Sequence, residues 1–191
     1  MIVINKEDAV AQKHDLIEKI QNGAIFVYPT DTIYGIGCNA LNAKSVQKIR
    51  EIKARSENPF SVIAPNRDWI KTNCELSLEA EGWINKLPGP YTFILTLKNH
   101  DSISKETNPR VETLGVRIPN HWFVKIIEES KVPFISTSVN KSGEDYMTSL
   151  EDIDEDIKGS VDIIIYEGEK QSKPSKIVDL TSSAKVIPRF R

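Results

Sequence analysis

The chain carries two short polar segments whose residue types suit a small anionic nucleotide held against a hydroxylated amino acid. The first is Tyr28-Pro-Thr-Asp-Thr-Ile-Tyr-Gly-Ile-Gly37, and the cations Lys53 and Arg55 follow it. The second, much later in the chain, is Ser138-Val-Asn140. Together they supply two fixed cations, several hydroxyls and an amide, which are groups that bind phosphates and carboxylates.

Lys53 and Arg55 end a helix that the apolar spacing predicts over residues 43–54. Spaced by one residue as the helix unwinds, the two side chains could converge on one polyphosphate. Arginine would supply a bidentate fork and lysine a point charge. Cations at a helix C-terminus also stabilise the helix dipole, so a purely structural role stays open.

The two polar segments each follow a strand-like run. Pro29 ends the first strand because it cannot donate to a ladder, which leaves Thr30, Asp31 and Thr32 in a polar loop or in a hydrogen-bonded turn. Ser138 and Asn140 would point the same way if their strand continues, since side chains two apart share a face. We expect both segments to open onto a cleft at the ends of strands.

Composition is that of an ordinary globular protein. The 191 residues are 39% hydrophobic and 27% charged, and the net charge of -2 lacks the basic excess of a dedicated nucleic-acid binder. No run approaches the roughly 20 apolar residues of a membrane span, and no secretory signal is recognisable. We therefore expect no membrane association and a cytoplasmic location, with Cys38 and Cys74 reduced.

Short β-rich runs alternate with helical patterns along the whole chain. Apolar stripes predict a first helix that includes Ala9, Ile17 and Ile20 and ends at Gly23, a second that includes Val46, Ile49 and Ile52, and a later one that includes Phe123, Ile126 and Ile127. Strands are predicted at Ile25–Tyr28, Phe60–Ala64, Thr92–Leu97, Leu114–Ile118, Val161–Tyr166 and Lys176–Leu180, with a short one beginning at Phe134. Little chain separates Thr92–Leu97 from Leu114–Ile118, so we expect an α/β (α+β-like) single domain over residues 1–191 with a mixed sheet.

Three other signals are weaker. Gly35-Ile-Gly37-Cys-Asn-Ala40 has the form of a dinucleotide fingerprint, but the residues that precede it leave no Rossmann turn, and we interpret it as a glycine turn permitting close backbone approach. Asp152–Asp156 starts like a calcium loop but lacks its glycine and final glutamate, which favours an acidic helix start. His121 is expected to cap a helix, with substrate contact as the alternative.

Six ordered motifs carry a family resemblance over essentially the whole chain. They are Tyr28–Gly37, Lys53 with Arg55, Pro88-Gly-Pro90, Val116-Arg-Ile-Pro119, Ser138 with Asn140, and Pro174-Ser-Lys-Ile-Val-Asp179. In this pattern the chain resembles the YrdC-like (TsaC) L-threonylcarbamoyladenylate synthases. The resemblance implies a YrdC-like fold, a twisted mixed sheet with flanking helices around a positively charged cleft.

The resemblance also implies a nucleotidyltransferase that makes threonylcarbamoyl-AMP and pyrophosphate from L-threonine, bicarbonate and ATP. Its product would pass to a downstream TsaD/Kae-type threonylcarbamoyl transferase for t6A modification of tRNA. Mg2+ would arrive with ATP, because the motifs offer no dedicated metal site. By carry-over, the catalytic residues would be Lys53 and Arg55; ATP would be bound by Lys53, Arg55, Thr113, Ser138, Asn140 and Arg189, and threonine by Thr32, Arg117 and Ser175.

Three alternatives to the synthase stay open at this point. A sister branch, YciO, shares much of the pattern, although it lacks the Lys-x-Arg and Ser-x-Asn residues that are present here. A non-catalytic module with weak RNA binding would use the same concave surface, and it predicts an RNA affinity that falls steeply with salt. Carbamoyl transfer in hydrogenase maturation occurs in related domains of larger chains.

Overall fold

The described part of the chain forms one twisted mixed sheet of ten short strands, with helices packed around it. The computed structural model describes residues 1–54, 58–109 and 112–188. Its strands are β1 (Ile2–Ile4), β2 (Phe26–Tyr28), β3 (Gly35–Gly37), β4 (Ser61–Ile63), β5 (Tyr91–Thr96), β6 (Thr113–Arg117), β7 (Phe134–Ser138), β8 (Ile163–Ile165), β9 (Lys176–Asp179) and β10 (Lys185–Ile187). Its α-helices are α1 (Lys6–Ala11), α2 (Lys13–Gln21), α3 (Ala43–Ile52), α4 (Arg67–Asn73), α5 (Leu78–Ile84), α6 (Val124–Ser130) and α7 (Glu155–Ser160).

The strand order across the sheet is β1-β8-β2-β3-β7-β4-β6-β5-β9-β10. Strand β7 lies near the centre and pairs antiparallel with both β3 and β4. Parallel pairs occur at β1–β8, β2–β8, β4–β6 and β5–β9. The predicted mixed sheet is confirmed, and so is the antiparallel pairing of the two strands that are separated by too little chain for a helix, β5 and β6.

The strands that sequence reasoning missed are all three residues long. They are β1, β3 and β10. The glycine turn predicted at Gly35–Gly37 is wrong in its secondary structure, because these residues form β3 between β2 and β7. The close approach is confirmed: an added Cβ on Gly37 would lie 1.9 Å from the Ile135 carbonyl oxygen. Glycine has low strand propensity, so only the pairing partners identify β3.

The helices follow the predicted apolar stripes with one correction. Val46 and Ile49 of α3 are buried, and the Asn42 side chain caps this helix by accepting from the Ser45 N–H at 3.1 Å. The single first helix predicted before Gly23 is instead split into α1 and α2. At Gln12 the backbone turns to φ −96° and ψ 19°, which leaves the α region, so each helix buries its own apolar residues.

An aromatic cluster joins the polar loop after β2 to the centre of the sheet. The Tyr28 ring stacks on Phe123 with centroids 5.1 Å apart and meets Phe134 edge-on at 5.4 Å. The Tyr28 hydroxyl donates to the Ile135 carbonyl oxygen at 3.0 Å, and burial raises the pKa of this phenol to about 12. Tyr28 is therefore a core residue, and it anchors the strand from which residues 29–34 emerge.

Candidate active site

Residues 29–34 form a polar loop that is tightly bonded to itself. The Thr30 hydroxyl donates to the Ile33 carbonyl oxygen at 2.7 Å and lies 3.0 Å from the Thr32 hydroxyl. Because the Thr30 proton is used on Ile33, Thr32 is the donor of that second bond. The lone pairs of Thr32 then face Arg117, whose Nη2 approaches at 3.3 Å. The hydrogen-bonded turn and the polar loop that the sequence allowed are therefore the same structure.

Arg117 ends strand β6 beneath this loop and is only 6% exposed. Its Nη2 lies 3.0 Å from Oδ1 of Asp31, and the other Asp31 oxygen accepts from the Asn120 N–H at 2.9 Å. Burial lowers the pKa of the Arg117 guanidinium, and the Asp31 carboxylate opposes that shift, so the group keeps its charge. Its Nε is buried and has no hydrogen-bond partner among the described residues.

Lys53 is the C-cap of α3 and is 2% exposed. Its ammonium contacts three oxygens: the carbonyls of Ser138 and Asn140, both at 2.6 Å, and the Asn140 side-chain oxygen at 3.1 Å. The Ser138 hydroxyl donates to that same side-chain oxygen at 2.6 Å. The structure thus brings Lys53, Ser138 and Asn140 into one hydrogen-bonded group, and a helix-dipole role alone does not account for Lys53. The convergence of Lys53 and Arg55 on one polyphosphate stays a prediction, because Arg55 lies outside the described residues.

A polar cavity of about 160 Å³ lies between the sheet and the chain that leads into β9. Of the predicted site residues, Arg117, Ser138 and Ser175 line it, whereas Thr32, Lys53 and Asn140 do not. Ser175 closes another wall, where its hydroxyl lies 2.8 Å from the Thr92 hydroxyl. The lining residues are Ile33, Tyr34, Gly35, Pro59, Phe60, Ser61, Thr92, Arg117, Ser136, Thr137, Ser138, Pro174, Ser175 and Ile177.

The other predicted site residues are placed as follows. Thr113 begins β6 and pairs with Thr96, at the opposite end of the strand from Arg117, and it does not line the cavity. Arg55 and Arg189 lie outside the described residues. The positive charge predicted for the cleft rests partly on these two arginines and stays a prediction.

His121 has two partners, and both ring nitrogens can be assigned. Nδ1 accepts from the Phe123 N–H at 3.3 Å, but Phe123 is itself the N-cap of α6 and its side chain makes no cap bond, so the expected capping role of His121 is wrong. Nε2 therefore carries the hydrogen and donates to Glu167 at 2.9 Å. Burial lowers the pKa of His121, whereas its bond to Glu167 opposes the shift.

Several cavity residues were missed by sequence reasoning. Ser136 could have been found, because it lies two positions before Ser138 on the same strand and shares its face. Tyr34 lies in the polar segment Tyr28–Gly37 but was given no role there, and Thr92 gave no signal. Thr92 reaches the site only because β5 pairs with β9, which brings it beside Ser175.

Two searches of the described residues bear on other classes of site. No group of three or more His, Cys, Asp or Glu side chains within residues 1–54, 58–109 and 112–188 could hold a metal ion. In the same residues, no helix is long and apolar enough to cross a membrane.

Residues 18–189 match the model of the Sua5/YciO/YrdC family, whose description is "Telomere recombination". The match covers most of the sequence, and the chain belongs to this family. Among its relatives is a Methanocaldococcus jannaschii protein with a provisional threonylcarbamoyl-AMP synthase name, 36% identical over 182 residues, which cover 93% of this chain and 84% of the relative.

A Pyrococcus abyssi threonylcarbamoyl-AMP synthase is 33% identical over 180 residues, which cover 89% of this chain and 51% of that protein. The chain thus spans about half the length of this relative. The crystal structure of P. abyssi Sua5 complexed with L-threonine is similar as well, with a TM-score of 0.84 and 29% identity. That alignment covers 96% of this chain and 55% of the P. abyssi chain.

Proposed function

We propose that this chain is a nucleotidyltransferase that condenses L-threonine, bicarbonate and ATP into threonylcarbamoyl-AMP and pyrophosphate. The proposal rests mainly on the position of Arg117. It presents a buried guanidinium to a polar cavity, and its Nε has no partner among the described residues. A buried, unsatisfied donor is costly, and the carboxylate of an amino acid would satisfy it with a charge-assisted bond.

The reaction needs positioning and charge neutralisation more than a covalent nucleophile. Bicarbonate loses hydroxide to give CO2, and the threonine amine attacks the CO2 carbon to form the new C–N bond. The nitrogen then gives one proton to the hydroxide, which leaves as water, and the amino acid becomes an N-carboxylate. An oxygen of that carboxylate then attacks the α-phosphorus of ATP, and the bond to the β-phosphate oxygen breaks to release pyrophosphate. Because carboxylate and phosphates are all anions, fixed positive charge must offset their repulsion.

We assign the candidate residues to the two substrates. Arg117, Thr32 and Ser175 are assigned to threonine, with Arg117 on its carboxylate. The phosphates are assigned to the region of Lys53, Arg55, Ser138 and Asn140, where the buried Lys53 ammonium holds the strand end rigid. Thr113 and Arg189 remain candidates on the nucleotide side, and Mg2+ is expected to enter with ATP.

The comparisons support the proposed activity. Two relatives carry threonylcarbamoyl-AMP synthase names, and the P. abyssi structure contains L-threonine. We further propose that residues 1–191 act as one domain, that the protein works in the cytoplasm, and that a TsaD/Kae-type transferase consumes the product in t6A synthesis.

The test is pyrophosphate release from ATP and bicarbonate, measured with L-threonine, with L-serine and with no amino acid. We expect threonine-dependent release together with an AMP-linked product. Threonine and ATP that bind without any turnover would contradict the catalytic role. Failure of both to bind, with RNA affinity that falls steeply with salt, would favour the RNA-binding module instead.

A further inference from the structure

The segment between β8 and β9, residues 166–175, crosses the face of the sheet that carries the cavity; we call it the strap. Strand β8 is second from one edge of the sheet and β9 is second from the other, so seven inter-strand steps separate them. The strap therefore runs from one side of the sheet to the other, and its end places Pro174 and Ser175 on the cavity wall.

Glu167, at the start of the strap, is bonded to the turn that follows β6. Its side chain is 20% exposed, and one carboxylate oxygen accepts from His121 Nε2 at 2.9 Å and from the Lys170 ammonium at 2.7 Å. The other oxygen accepts from the Trp122 indole N–H at 2.8 Å. Three donors thus converge on one carboxylate, two of them from outside the strap.

The same point of the strap is bonded to the polar loop of the site. The Tyr34 hydroxyl accepts from the Glu167 N–H at 3.1 Å and donates to the Gly168 carbonyl oxygen at 2.6 Å. The Tyr34 ring stacks on Tyr166 with centroids 5.7 Å apart, and Tyr34 itself lines the cavity. The anchored end of the strap and the cavity wall therefore share a side chain.

We propose that Glu167 is a positioning residue that fixes the strap across the cavity and so sets where Ser175 meets the substrate amino acid. The inference rests on the proposed function, because it assigns the strap to the threonine subsite. Glu167 does not line the cavity, and it acts through Tyr34 and the strap backbone. A cavity of about 160 Å³ is also smaller than the roughly 300–1,000 Å³ of small-molecule pockets. Because the cavity is small, the position of the strap sets the space that is left beside Ser175.

The test is Glu167→Gln, which keeps the size of the side chain and removes its charge. The matched control is Glu169→Gln, since Glu169 lies on the same strap and its carboxylate contacts Gln171. Hydrogen exchange of the strap amides, measured in the protein without substrates, should be roughly 10–100-fold faster in Glu167→Gln and unchanged in the control. In turnover assays, KM for threonine should rise roughly 10-fold or more, with a smaller change in kcat.

Unchanged exchange in Glu167→Gln, or an equal increase in Glu169→Gln, would overturn the anchor. If Glu167→Gln speeds exchange in the strap but the variant is active with an unaltered KM for threonine, the role of Glu167 in positioning is overturned. If the wild-type protein shows no threonine-dependent turnover, the proposed function fails, while the exchange measurement still decides the anchor. Should Glu167→Gln not fold, Trp122→Phe removes one donor to the carboxylate, and it should speed exchange in the same segment by a smaller factor.

Discussion

At the scale of single residues, the site depends on two buried cations that are held in different ways. The Lys53 ammonium is bonded to three oxygens of the Ser138–Asn140 segment, so it fixes the geometry of the strand end. The Arg117 guanidinium is held by Asp31 and Thr32 through Nη2, which leaves Nε unsatisfied. One cation thus shapes the site, and the other retains the capacity to bind.

Replacing Lys53 by Met keeps the aliphatic stem and removes the charge. The free energy of unfolding should fall by about 1–3 kcal/mol for each carbonyl left unsatisfied, and turnover should fall roughly 10–100-fold. Urea unfolding and pyrophosphate release measure the two effects. Lys48→Met, an exposed position on the same helix, is the control and should leave both unchanged. Wild-type turnover in Lys53→Met would refute the assignment of Lys53 to the site.

Arg117→Lys keeps the charge but loses the planar fork of donors. The affinity for threonine should fall roughly 10–100-fold, because a lysine ammonium cannot contact Asp31, Thr32 and a ligand carboxylate from the same position. Calorimetric titration with threonine measures this change. Arg67→Lys makes the same substitution outside the cavity lining and serves as the comparison. Equal threonine affinity in the two variants would exclude Arg117 as the carboxylate ligand.

At the scale of elements, strand β3 and the strap set the two walls of the cavity. Strand β3 lies between β2 and β7, where Gly37 leaves room for the Ile135 carbonyl and Gly35 leaves room for the Tyr28 ring. The strap is held near its start, where Glu167 is bonded to Trp122 and Tyr34. Its own cavity-lining residues, Pro174 and Ser175, lie at its other end. Each element has a substitution that tests it.

Gly37→Ala should destabilise the fold by at least about 1–3 kcal/mol, because its Cβ would overlap the Ile135 carbonyl oxygen. That carbonyl belongs to strand β7, whose backbone is held by its pairing with β4. Gly82→Ala is the opposite case, since no heavy atom lies within 4 Å of the added Cβ in helix α5. It should stabilise by about 0.4–1 kcal/mol. Thermal or urea unfolding of both variants checks the pair, and a neutral Gly37→Ala would contradict the described packing.

The Glu167 anchor predicts that the protein loses part of its unfolding free energy at acid pH. Burial raises the pKa of this carboxyl, but the bonds from Lys170, Trp122 and His121 outweigh it and lower the pKa to about 2 from an ordinary 4.5. A carboxyl whose pKa is lower in the folded state stabilises the protein fully when the pH is above its pKa in the unfolded state. This contribution is lost as the pH falls to its pKa in the folded state. The difference in unfolding free energy between wild type and Glu167→Gln should therefore shrink between about pH 4.5 and pH 2.

Urea unfolding across that pH range measures the effect, with Glu169→Gln as the control for loss of one strap carboxylate. A difference of the same size at pH 2 and pH 7 would show that the Glu167 charge contributes nothing to the anchor.

At the scale of the whole molecule, the cavity gathers residues from distant parts of the chain. Arg117 comes from β6, Ser138 from β7, and Ser175 precedes β9 on the far side of the sheet. Because these elements meet only in the folded sheet, a ligand of the cavity binds the native state and not the unfolded chain.

Threonine should therefore raise the stability of the whole protein by mass action. At 100 times its dissociation constant, the gain is about 2.7 kcal/mol. Equilibrium urea unfolding with increasing threonine checks this, and L-serine is the matched ligand control. Ser175→Ala should reduce the shift, since Ser175 is assigned to the threonine subsite. No shift at any threonine concentration would contradict the threonine subsite.

The sequence by itself determined the longer elements and the main chemical groups. Apolar spacing identified α3 and α6, and β-branched runs identified β4, β5, β6 and β8, because side-chain periodicity is a local property. The motifs around Lys53, Ser138 and Arg117 likewise stand in the sequence as recognisable residue types at fixed spacing.

Only the tertiary structure decided the rest. Strand β3, composed of two glycines and an isoleucine, is a strand because β2 and β7 lie on either side of it. The bond of Ser175 to Thr92 and the anchoring of Glu167 to His121 and Trp122 depend on which strands are neighbours. Such contacts join residues far apart in the chain, and sequence spacing carries no information about them. Local pattern thus fixed what the chain could offer chemically, and sheet topology fixed which groups meet.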